Sequence, residues 1–329
     1  MSGLPRVGYL GPAGTFTEEA LLSSAREDAV EPVALGTIYD TVLAVREGTV
    51  QWAVVPIENS LDGSVTVTLD LLADEHGDLE IVGEALLAVR HSLIAAETIE
   101  LGEIEEVVSH PQVPGQCTRL LRGELAGARV LPASSTAEAV RQVVVERRRG
   151  RAALGTSLAA EIYGGTVLRE GVQDRDDNVT RFVWLARIER PVAPATRTTG
   201  EALSATGASA GSSRRGVVGT SAVHGPPLRG KVENRSGIES PPARWKTSVV
   251  FWGPGADSPG WLMRCLDKFA RRGINLTKIE SRPRRAGLGQ YMFFADLQGS
   301  VDEPRVAGAL EGLRGVCEEA RVLGSYPAG

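Results

Sequence analysis

The chain reads DNVTRFVWLA over residues 177–186. The apolar letters after Phe182 are strand formers, so a strand is predicted over residues 180–188, where it closes the first half of the chain. Thr180, Arg181 and Phe182 put a hydroxyl, a fixed cation and an aromatic ring at the mouth of that strand. Such a set can hold a small anionic ring compound and donate a hydrogen bond to a leaving group. Taken alone, the three residues also fit an ordinary strand with a solvated arginine.

Short apolar runs alternate with amphipathic segments throughout the residues before this strand. The predicted strands are 6–10, 52–55, 81–89, 106–109, 129–132 and 152–154, and the predicted helices are 17–24, 38–47, 65–73, 114–121, 136–149 and 159–163. Because strands and helices alternate, we predict parallel pairing and an α/β fold of two lobes with a cleft between them. Ligands of such sheets bind beyond the carboxyl ends of the strands.

Four further polar clusters follow apolar runs upstream. They are GPAGTFT at 11–17, PIENS at 56–60, SHPQ at 109–112 with Gln116 and Cys117, and ALGTS at 153–157. In this order and spacing, the clusters and the Thr-Arg-Phe motif resemble the prephenate dehydratases. Residues 280–283, ESRP, resemble the effector motif of that family's regulatory ACT domain.

The resemblance implies an enzyme that converts prephenate to phenylpyruvate with loss of carbon dioxide and water, in phenylalanine biosynthesis. It implies a periplasmic-binding-protein-like catalytic domain over 1–190 and a ferredoxin-like βαββαβ ACT domain over 246–329. The reaction needs no cofactor because formation of an aromatic ring drives it. Phenylalanine is the implied effector, bound between two copies in a homodimer or homotetramer. Two alternatives stay open: an arogenate dehydratase, and a non-catalytic sensor of a small ligand.

The same resemblance assigns roles to individual residues. Thr180 is the expected catalytic donor to the departing oxygen. The expected substrate-binding residues are Glu58, Asn59, Ser60, Ser109, Gln116, Ser135, Thr136, Gly155, Thr156, Arg181 and Phe182. Those at strand ends or helix starts would offer free N–H groups to an anion, although each could equally be a helix cap.

Two of these residues have competing interpretations. The fork of Arg181 suits a substrate carboxylate, or else a structural salt bridge to Asp176, Asp177 or Glu58. Glu58 would repel a dianionic substrate unless it were protonated or paired, so it is either a proton source with a raised pKa or an organiser of the hinge. We favour the organiser.

The C-terminal region shows the order strand, helix, strand, strand, helix, strand, over 247–252, 260–271, 274–280, 290–297, 303–317 and 322–326. This order predicts a ferredoxin-like antiparallel sheet with helices on one face. The expected effector-binding residues are Pro259, Gly260, Trp261, Leu262, Glu280, Ser281, Arg282 and Pro283. The family usually has small residues where this chain has Trp261. The indole should therefore fill the ring pocket or point into a subunit interface, and we expect it to weaken effector binding.

Composition restricts the remaining possibilities. The chain has 329 residues, enough for two or three domains, and a net charge of −5 that gives no basic surplus for nucleic acid or anionic membrane. No apolar stretch approaches the ~18 residues of a membrane span and no signal peptide is recognisable, so a cytoplasmic location is expected. The cysteines Cys117, Cys265 and Cys317 lie far apart in sequence, which predicts unpaired thiols. The four histidines show no metal-ligand spacing, and we treat His110 as structural.

Residues 191–245 differ from both flanking regions. Between 194 and 244 there is no aromatic residue, and seven Lys or Arg stand against three Glu, a net charge of +4. Such a segment cannot bury enough apolar surface to offset its ordering entropy, so a disordered linker is predicted.

A linker of this kind should be the first site of proteolysis. We expect limited trypsin digestion to cut near Arg214 or Arg229 and to release an active catalytic fragment. Fragment masses and residual activity measure this. Survival of the intact chain under conditions that digest a denatured control would show that the segment is packed.

Overall fold

The computed structural model describes residues 3–26, 28–74, 77–188, 226–228, 244–254, 258–284, 287 and 289–329. None of the helices in these ranges has the length and apolar character of a membrane span. Apart from residues 226–228, 244 and 245, the predicted linker lies outside the described residues.

The first part of the chain folds into two sheets flanked by helices. Its strands are β1 (Arg6–Leu10), β2 (Glu31–Leu35), β3 (Trp52–Asn59), β4 (Gly63–Ser64), β5 (Leu79–Ala88), β6 (Ser92–Ala95), β7 (Glu106–Ser109), β8 (Arg129–Pro132), β9 (Arg151–Gly155), β10 (Thr166–Arg169) and β11 (Val179–Arg187). Its helices are α1 (Phe16–Ser24), α2 (Ile38–Arg46), α3 (Thr66–Ala73), α4 (Thr136–Glu146) and α5 (Ser157–Tyr163).

The first lobe is built on a sheet in the order β2-β1-β3-β11-β5, with β4 paired to β3. The parallel pairing predicted from the sequence holds for β1 with β2 and β3. It is wrong for β11, which lies antiparallel between β3 and β5. The chain returns from the second lobe in the opposite direction, so its last strand enters the first sheet reversed.

The second lobe has the order β10-β6-β9-β7-β8, in which β7 runs parallel to β8 and β9. The carboxyl ends of these three strands therefore meet at one edge. The helix predicted over 114–121 is replaced by a 3₁₀ turn at Pro114–Gln116 and a short π-helical turn at Leu120–Glu124. The carboxylate of Asp174 accepts from the amides of Thr118 and Arg119 at 2.8 and 2.9 Å, so those amides are satisfied without a regular helix.

The C-terminal domain confirms the ferredoxin-like plan. It consists of β12 (Trp245–Trp252), α6 (Trp261–Ala270), β13 (Leu276–Pro283), β14 (Tyr291–Gln298), α7 (Pro304–Arg314) and β15 (Glu319–Pro327). The strands form an antiparallel sheet in the order β13-β14-β12-β15. Both helices pack on one face of this sheet, around Phe251, Phe269 and Leu313.

The other face of the C-terminal sheet packs directly on the first lobe. Val183 and Leu185 of β11 share one buried cluster with Phe294 of β14 and with Leu323 and Tyr326 of β15. The two domains therefore have a continuous apolar core, and their relative position is fixed by packing as well as by the chain that joins them. Release of a catalytic fragment, as expected from the sequence, thus requires this core to separate in addition to a cut in the linker.

Two described residues of the predicted linker, Pro227 and Leu228, also contact the first lobe. The amide of Arg26 donates to Pro227 O at 2.7 Å, and its side chain donates to Leu228 O at 3.2 Å. The side chain of Leu228 packs against the buried cluster that contains Phe182 and Trp184. This short part of the segment is thus held against the catalytic region.

The two domains approach so closely at Gly324 that this position requires a residue without a side chain, and a mutation can test this. A Cβ added there would clash with the carbonyl group of Ile81 in β5, so Gly324→Ala must separate β15 from β5. We expect it to lower the free energy of unfolding by about 1–3 kcal/mol. The matched control is Gly312→Ala in α7, where the nearest atom to an added Cβ is a lysine methylene at 3.4 Å. The control should be neutral or stabilising by up to ~1 kcal/mol. Equal urea midpoints for the two variants would contradict this account of the boundary.

Candidate active site

Asn59 and Thr180 lie directly opposite each other on β3 and β11. Asn59 Oδ1 accepts from the backbone amides of Leu61 and Asp62, both at 2.9 Å. Its Nδ2 group must therefore face the other way, and it donates to Thr180 Oγ1 and to Asn178 Oδ1, both at 2.8 Å. Because Thr180 Oγ1 is the acceptor in this bond, its own hydrogen stays available for another acceptor.

The hydrogen bonds keep the same donor-to-acceptor direction into the second lobe. Asn178 Oδ1 is used by Asn59, so Asn178 Nδ2 donates, and it does so to Gln116 Oε1 at 3.2 Å. His91 Nε2 lies 3.1 Å from the same oxygen. With Oε1 accepting from two groups, the two N–H bonds of Gln116 are directed away from the chain of amides. The chain Thr180, Asn59, Asn178, Gln116, His91 thus joins the two lobes and leaves a donor at Thr180 and at Gln116.

His91 is the deeply buried member of this chain. Its side chain is edge-on to Phe16 with the ring centroids 5.4 Å apart, and its Nδ1 has no hydrogen-bond partner. Burial lowers the pKa of His91, although its bond to Gln116 acts in the opposite direction. The imidazole is therefore neutral near pH 7, with its proton on the nitrogen that donates to Gln116.

The sequence prediction included Thr180, Asn59 and Gln116 but missed His91 and Asn178. Asn178 immediately precedes the motif strand, and His91 follows the apolar run of β5, so both carried the signal of a polar group at a strand end. What the sequence could not show is that these positions lie next to each other in space.

Several other predicted site residues lie at the expected edge of the second lobe. Ser109 ends β7, and Ser135 caps α4 by accepting from Glu138 N at 3.0 Å. Thr136 begins that helix. Gly155 ends β9 where a Cβ would meet Val140, so its small size is required by packing.

Thr156 has a structural task that accounts for its hydroxyl. It caps α5 by accepting from Ala159 N at 3.0 Å and donates to Gly14 O of the first lobe at 2.6 Å. Ser60 is used in the same way, because its Oγ donates to Asp177 O at 3.1 Å and accepts from Val179 N at 3.0 Å. In both residues the hydroxyl group is therefore used by a helix cap or a turn.

Phe182 and Arg181 are placed differently from the expectation. Phe182 is 2% exposed and packs in the core beneath α1, so its ring is a core residue. Arg181 is 7% exposed and points to the opposite face of the sheet, toward the C-terminal domain. Its Nε donates to Glu84 at 2.7 Å, one Nη to Asp296 at 2.6 Å and the other to Tyr326 Oη at 2.7 Å.

The fork of Arg181 is therefore already occupied, and the salt-bridge alternative describes its contacts. Its partners are mainly Glu84 and Asp296 in place of Asp176 or Asp177, with Glu58 farther away at 3.6 Å. Side chains of a strand alternate between the faces of a sheet, so Thr180 and Arg181 cannot both face the same ligand.

Glu58 follows the same alternation. It is directly opposite Arg181 in the ladder and lies 3.2 Å from Lys278 Nζ of β13. Its carboxylate is thus paired with cations of the domain boundary. This agrees with an organising role, located between the catalytic and C-terminal domains instead of at the hinge between lobes.

A cavity of about 420 Å³ lies beside the start of α6. Its lining includes four predicted effector residues, Pro259, Gly260, Trp261 and Leu262, together with Tyr291 and Phe293 of β14. Ser281 pairs with Phe293 across the β13–β14 ladder, which places it on the same face of the sheet.

The other effector residues on β13 point elsewhere. The Arg282 guanidinium binds Asp70 of α3 through contacts of 2.9, 3.0 and 3.2 Å. Glu280 accepts from Ser64 and lies 3.4 Å from Lys278. Both therefore bind groups at the boundary with the first lobe, and Pro283 lines a separate cavity of about 510 Å³ there.

Trp261 lies in the core of the C-terminal domain. Its indole is 3% exposed within the core of the C-terminal domain, and Nε1 donates to Val316 O at 2.6 Å. Gly253 makes the room, because a Cβ there would lie 2.7 Å from the indole. The ring forms a wall of the 420 Å³ cavity without projecting from the core.

The buried histidine predicts a dependence of stability on pH. The pKa of His91 is lowered in the folded protein, so the unfolded state binds more protons once the pH falls below the unfolded value of about 6.5. The stabilisation that depends on neutral His91 is therefore fully present above that pH. It is lost as the pH falls toward the pKa of His91 in the folded protein. It can change the free energy of unfolding by at most about 1.4 kcal/mol per pH unit.

Urea unfolding between pH 7.5 and pH 5, about the range in which histidine titrates, measures this contribution. In His91→Gln the loss of stability on acidification should be smaller than in the wild type. Identical acid profiles for the wild type and His91→Gln would contradict the assignment.

Comparison with known proteins agrees with this geometry. The family model described as prephenate dehydratase matches residues 7–190. The prephenate dehydratase of Mycobacterium sp. (strain JLS) is 35% identical over 336 residues, covering 99% of this chain and 90% of that protein. The enzyme of Amycolatopsis methanolica is 36% identical, covering 98% and 88%.

Solved structures show the same likeness. The prephenate dehydratase of Arthrobacter aurescens in complex with L-Phe is 33% identical with a TM-score of 0.74, covering 98% of this chain and 89% of that one. A structure described as a quorum-quenching acylase, GqqA, is 25% identical with a TM-score of 0.74, covering 98% of both chains. The curated relatives and the matched domain decide the family. The chain belongs to the prephenate dehydratases, lyases that release water and carbon dioxide.

Proposed function

We propose that Thr180 donates the hydrogen bond that assists departure of the ring hydroxyl of prephenate. The observation that carries this proposal is the orientation of Asn59. The amides of Leu61 and Asp62 fix its carbonyl oxygen, so its NH₂ group donates to Thr180 Oγ1 at 2.8 Å. The hydroxyl hydrogen of Thr180 is thereby left for the substrate.

The reaction needs a hydrogen-bond donor at the departing oxygen and little other assistance. As the ring carboxylate leaves as carbon dioxide, its bonding electrons form the aromatic ring and expel the hydroxyl group. Hydroxide is a poor leaving group, so the developing negative charge on oxygen must be stabilised or protonated. A threonine hydroxyl is too weak an acid to supply a full proton at neutral pH. It acts as a positioned donor, polarised by the amide chain that ends at it.

The two carboxylates of prephenate require separate donors. We assign one of them to the NH₂ group of Gln116, whose carbonyl oxygen is occupied by Asn178 and His91. We assign the other to the start of α4, where the backbone amides after Ser135 have no preceding helical carbonyl. Ser109 ends the adjacent strand at the same edge. Arg181 takes no part in this binding because its fork is occupied at the domain boundary.

Regulation by phenylalanine is the second part of the proposal. The relative from Arthrobacter aurescens is described with L-Phe bound. In this chain the 420 Å³ cavity beside α6 offers an aromatic wall of Trp261, Tyr291 and Phe293 to such a ligand. Met263, Ile279 and Tyr291 are large apolar side chains that stay exposed on the C-terminal domain. A second copy covering them gives the homodimer or homotetramer expected from the resemblance.

Arogenate remains the alternative substrate. It carries an amine where prephenate carries the keto group. Parallel assays, with phenylpyruvate and phenylalanine as the respective products, decide between the two.

The cytoplasmic location is also part of the proposal. Cys265 and Cys317 are hydrogen-bonded thiols with their Sγ atoms 3.7 Å apart and no disulfide between them, which suits a reducing compartment.

Replacing Thr180 tests the mechanism. Thr180→Val keeps the β-branched shape and removes the donor, so kcat should fall by about 10²-fold while KM changes little. Thr180→Ser keeps the hydroxyl and is the matched control, which should retain most of the turnover. Initial rates of phenylpyruvate formation measure both variants. Normal kcat in Thr180→Val would remove this residue from the mechanism.

A further inference from the structure

A buried ionic cluster joins the catalytic and C-terminal domains behind the catalytic strand. It contains Arg181 of β11, Glu84 of β5, and Lys246, Asp296 and Tyr326 of the C-terminal sheet. The side chains of Arg181, Glu84 and Asp296 are 8%, 1% and 8% exposed. Two cations face two carboxylates, so the charges in this part of the boundary balance.

Each charged group in the cluster is held by several bonds. Lys246 Nζ donates to both oxygens of Glu84, at 2.8 and 2.7 Å. Ser248 Oγ donates to Asp296 at 2.5 Å and lies 2.6 Å from Tyr326 Oη, which closes a ring of bonds through Arg181. Burial alone would lower the pKa of Arg181, but Tyr326, Asp296 and Glu84 raise it above its ordinary value. The guanidinium is therefore a permanent cation, and loss of Glu84 or Asp296 leaves charge uncompensated.

The cluster lies one residue away from the catalytic pair. Arg181 faces Glu58 across the β3–β11 ladder, and Thr180 faces Asn59 in the next position. The ladder changes register between Arg181 and Phe182, where it has an irregularity. The extra residue is in β3, while at this point β11 keeps a regular register with β5 on its other side. Because the ladder to β3 is locally disrupted there, the bonds of Arg181 add to the contacts that hold the mouth of β11 against β3.

The neighbouring strand β13 connects the same region to the effector side. Lys278, on one face of β13, lies 3.2 Å from Glu58. Ser281, on the other face, pairs with Phe293, a residue that lines the 420 Å³ cavity. Asp296 and Phe293 both belong to β14. A displacement of these strands would therefore reach both Glu58 and Arg181.

We propose that Arg181 is a positioning residue for the catalytic hydroxyl. Held by Asp296 and Tyr326, it fixes the part of β11 that carries Thr180 against Asn59, and so makes turnover depend on the state of the C-terminal domain. This inference rests on the proposed role of Thr180. It differs from a substrate clamp in one measurable respect, because misplacing Thr180 lowers kcat whereas losing a carboxylate ligand raises KM.

Two variants of the C-terminal domain test the inference without touching the cleft. Asp296→Asn removes one charge, and Tyr326→Phe removes one hydroxyl without changing the packing volume, so it remains informative if the first fails to fold. We expect kcat to fall about 10-fold or more in Asp296→Asn and less in Tyr326→Phe, with KM for prephenate within about twofold of wild type. The concentration of phenylalanine needed for half-inhibition should rise in both.

Arg321→Gln is the matched control. Arg321 also crosses the boundary, but its guanidinium donates to the backbone carbonyls of Ala73 and Asp74 at the end of α3. The control should lose thermal stability and keep wild-type kcat. If the control loses as much kcat as Asp296→Asn, the cluster only holds the domains together and the positioning role is refuted.

Arg181→Lys distinguishes the positioning role from the remaining interpretation, a clamp for a substrate carboxylate. It keeps the charge but cannot bind Glu84, Asp296 and Tyr326 together, so a positioning role predicts reduced kcat with nearly unchanged KM. Raised KM with normal kcat would overturn the proposal in favour of a carboxylate clamp. Assays of the wild type in parallel distinguish failure of the proposed function from failure of the positioning role. An inactive wild type refutes the proposed function and the inference built on it, whereas an active wild type with normal kcat in all cluster variants refutes the positioning role alone.

Discussion

The guanidinium of Arg181 is the constraint on which the arrangement of the two domains depends. It is buried between them and bonded to Glu84, Asp296 and Tyr326. Removing the partner of a buried cation destabilises the folded protein by about 3–5 kcal/mol. The C-terminal sheet can therefore dock in only one register, namely the one that brings Asp296 and Tyr326 to β11. Apolar packing around Phe294 and Leu323 supplies attraction, which is not directional, and the ionic cluster supplies the specificity.

The catalytic face of the same strand depends on a different constraint, the direction of its hydrogen bonds. Two backbone amides at the β3–β4 turn orient Asn59, and each amide side chain then orients the next as far as His91. The result is that the hydroxyl of Thr180 and the NH₂ group of Gln116 keep their hydrogens for other acceptors, without any charged residue in the chain. A neutral network suits a dianionic substrate, because a carboxylate in the same place would repel it and a buried cation would need a permanent partner.

Strand alternation explains how one short motif serves both purposes. Thr180 and Asn59 face the amide chain, while Arg181 and Glu58, one residue away, face the C-terminal domain. On β13, Ser281 likewise shares the face of the 420 Å³ cavity, whereas Glu280 and Arg282 bind the first lobe. Each motif recognised as a single unit in the sequence therefore has one set of side chains at the domain boundary and another on the opposite face of its strand.

The sequence by itself determined the α/β character of the first region and the ferredoxin-like C-terminal domain, and it predicted Thr180, Asn59 and Gln116 as site residues. These follow from local periodicity and from clusters at strand ends, which are properties of neighbouring residues. The alternation of β11 was also readable, and it could have shown that Arg181 and Thr180 face opposite sides. Tertiary structure alone decided the antiparallel insertion of β11, the use of His91 and Asn178, the burial of Trp261 opposite Gly253, and the partners of Arg181. All of these are contacts between residues far apart in the chain, and their energies depend on distances and burial that no local pattern contains.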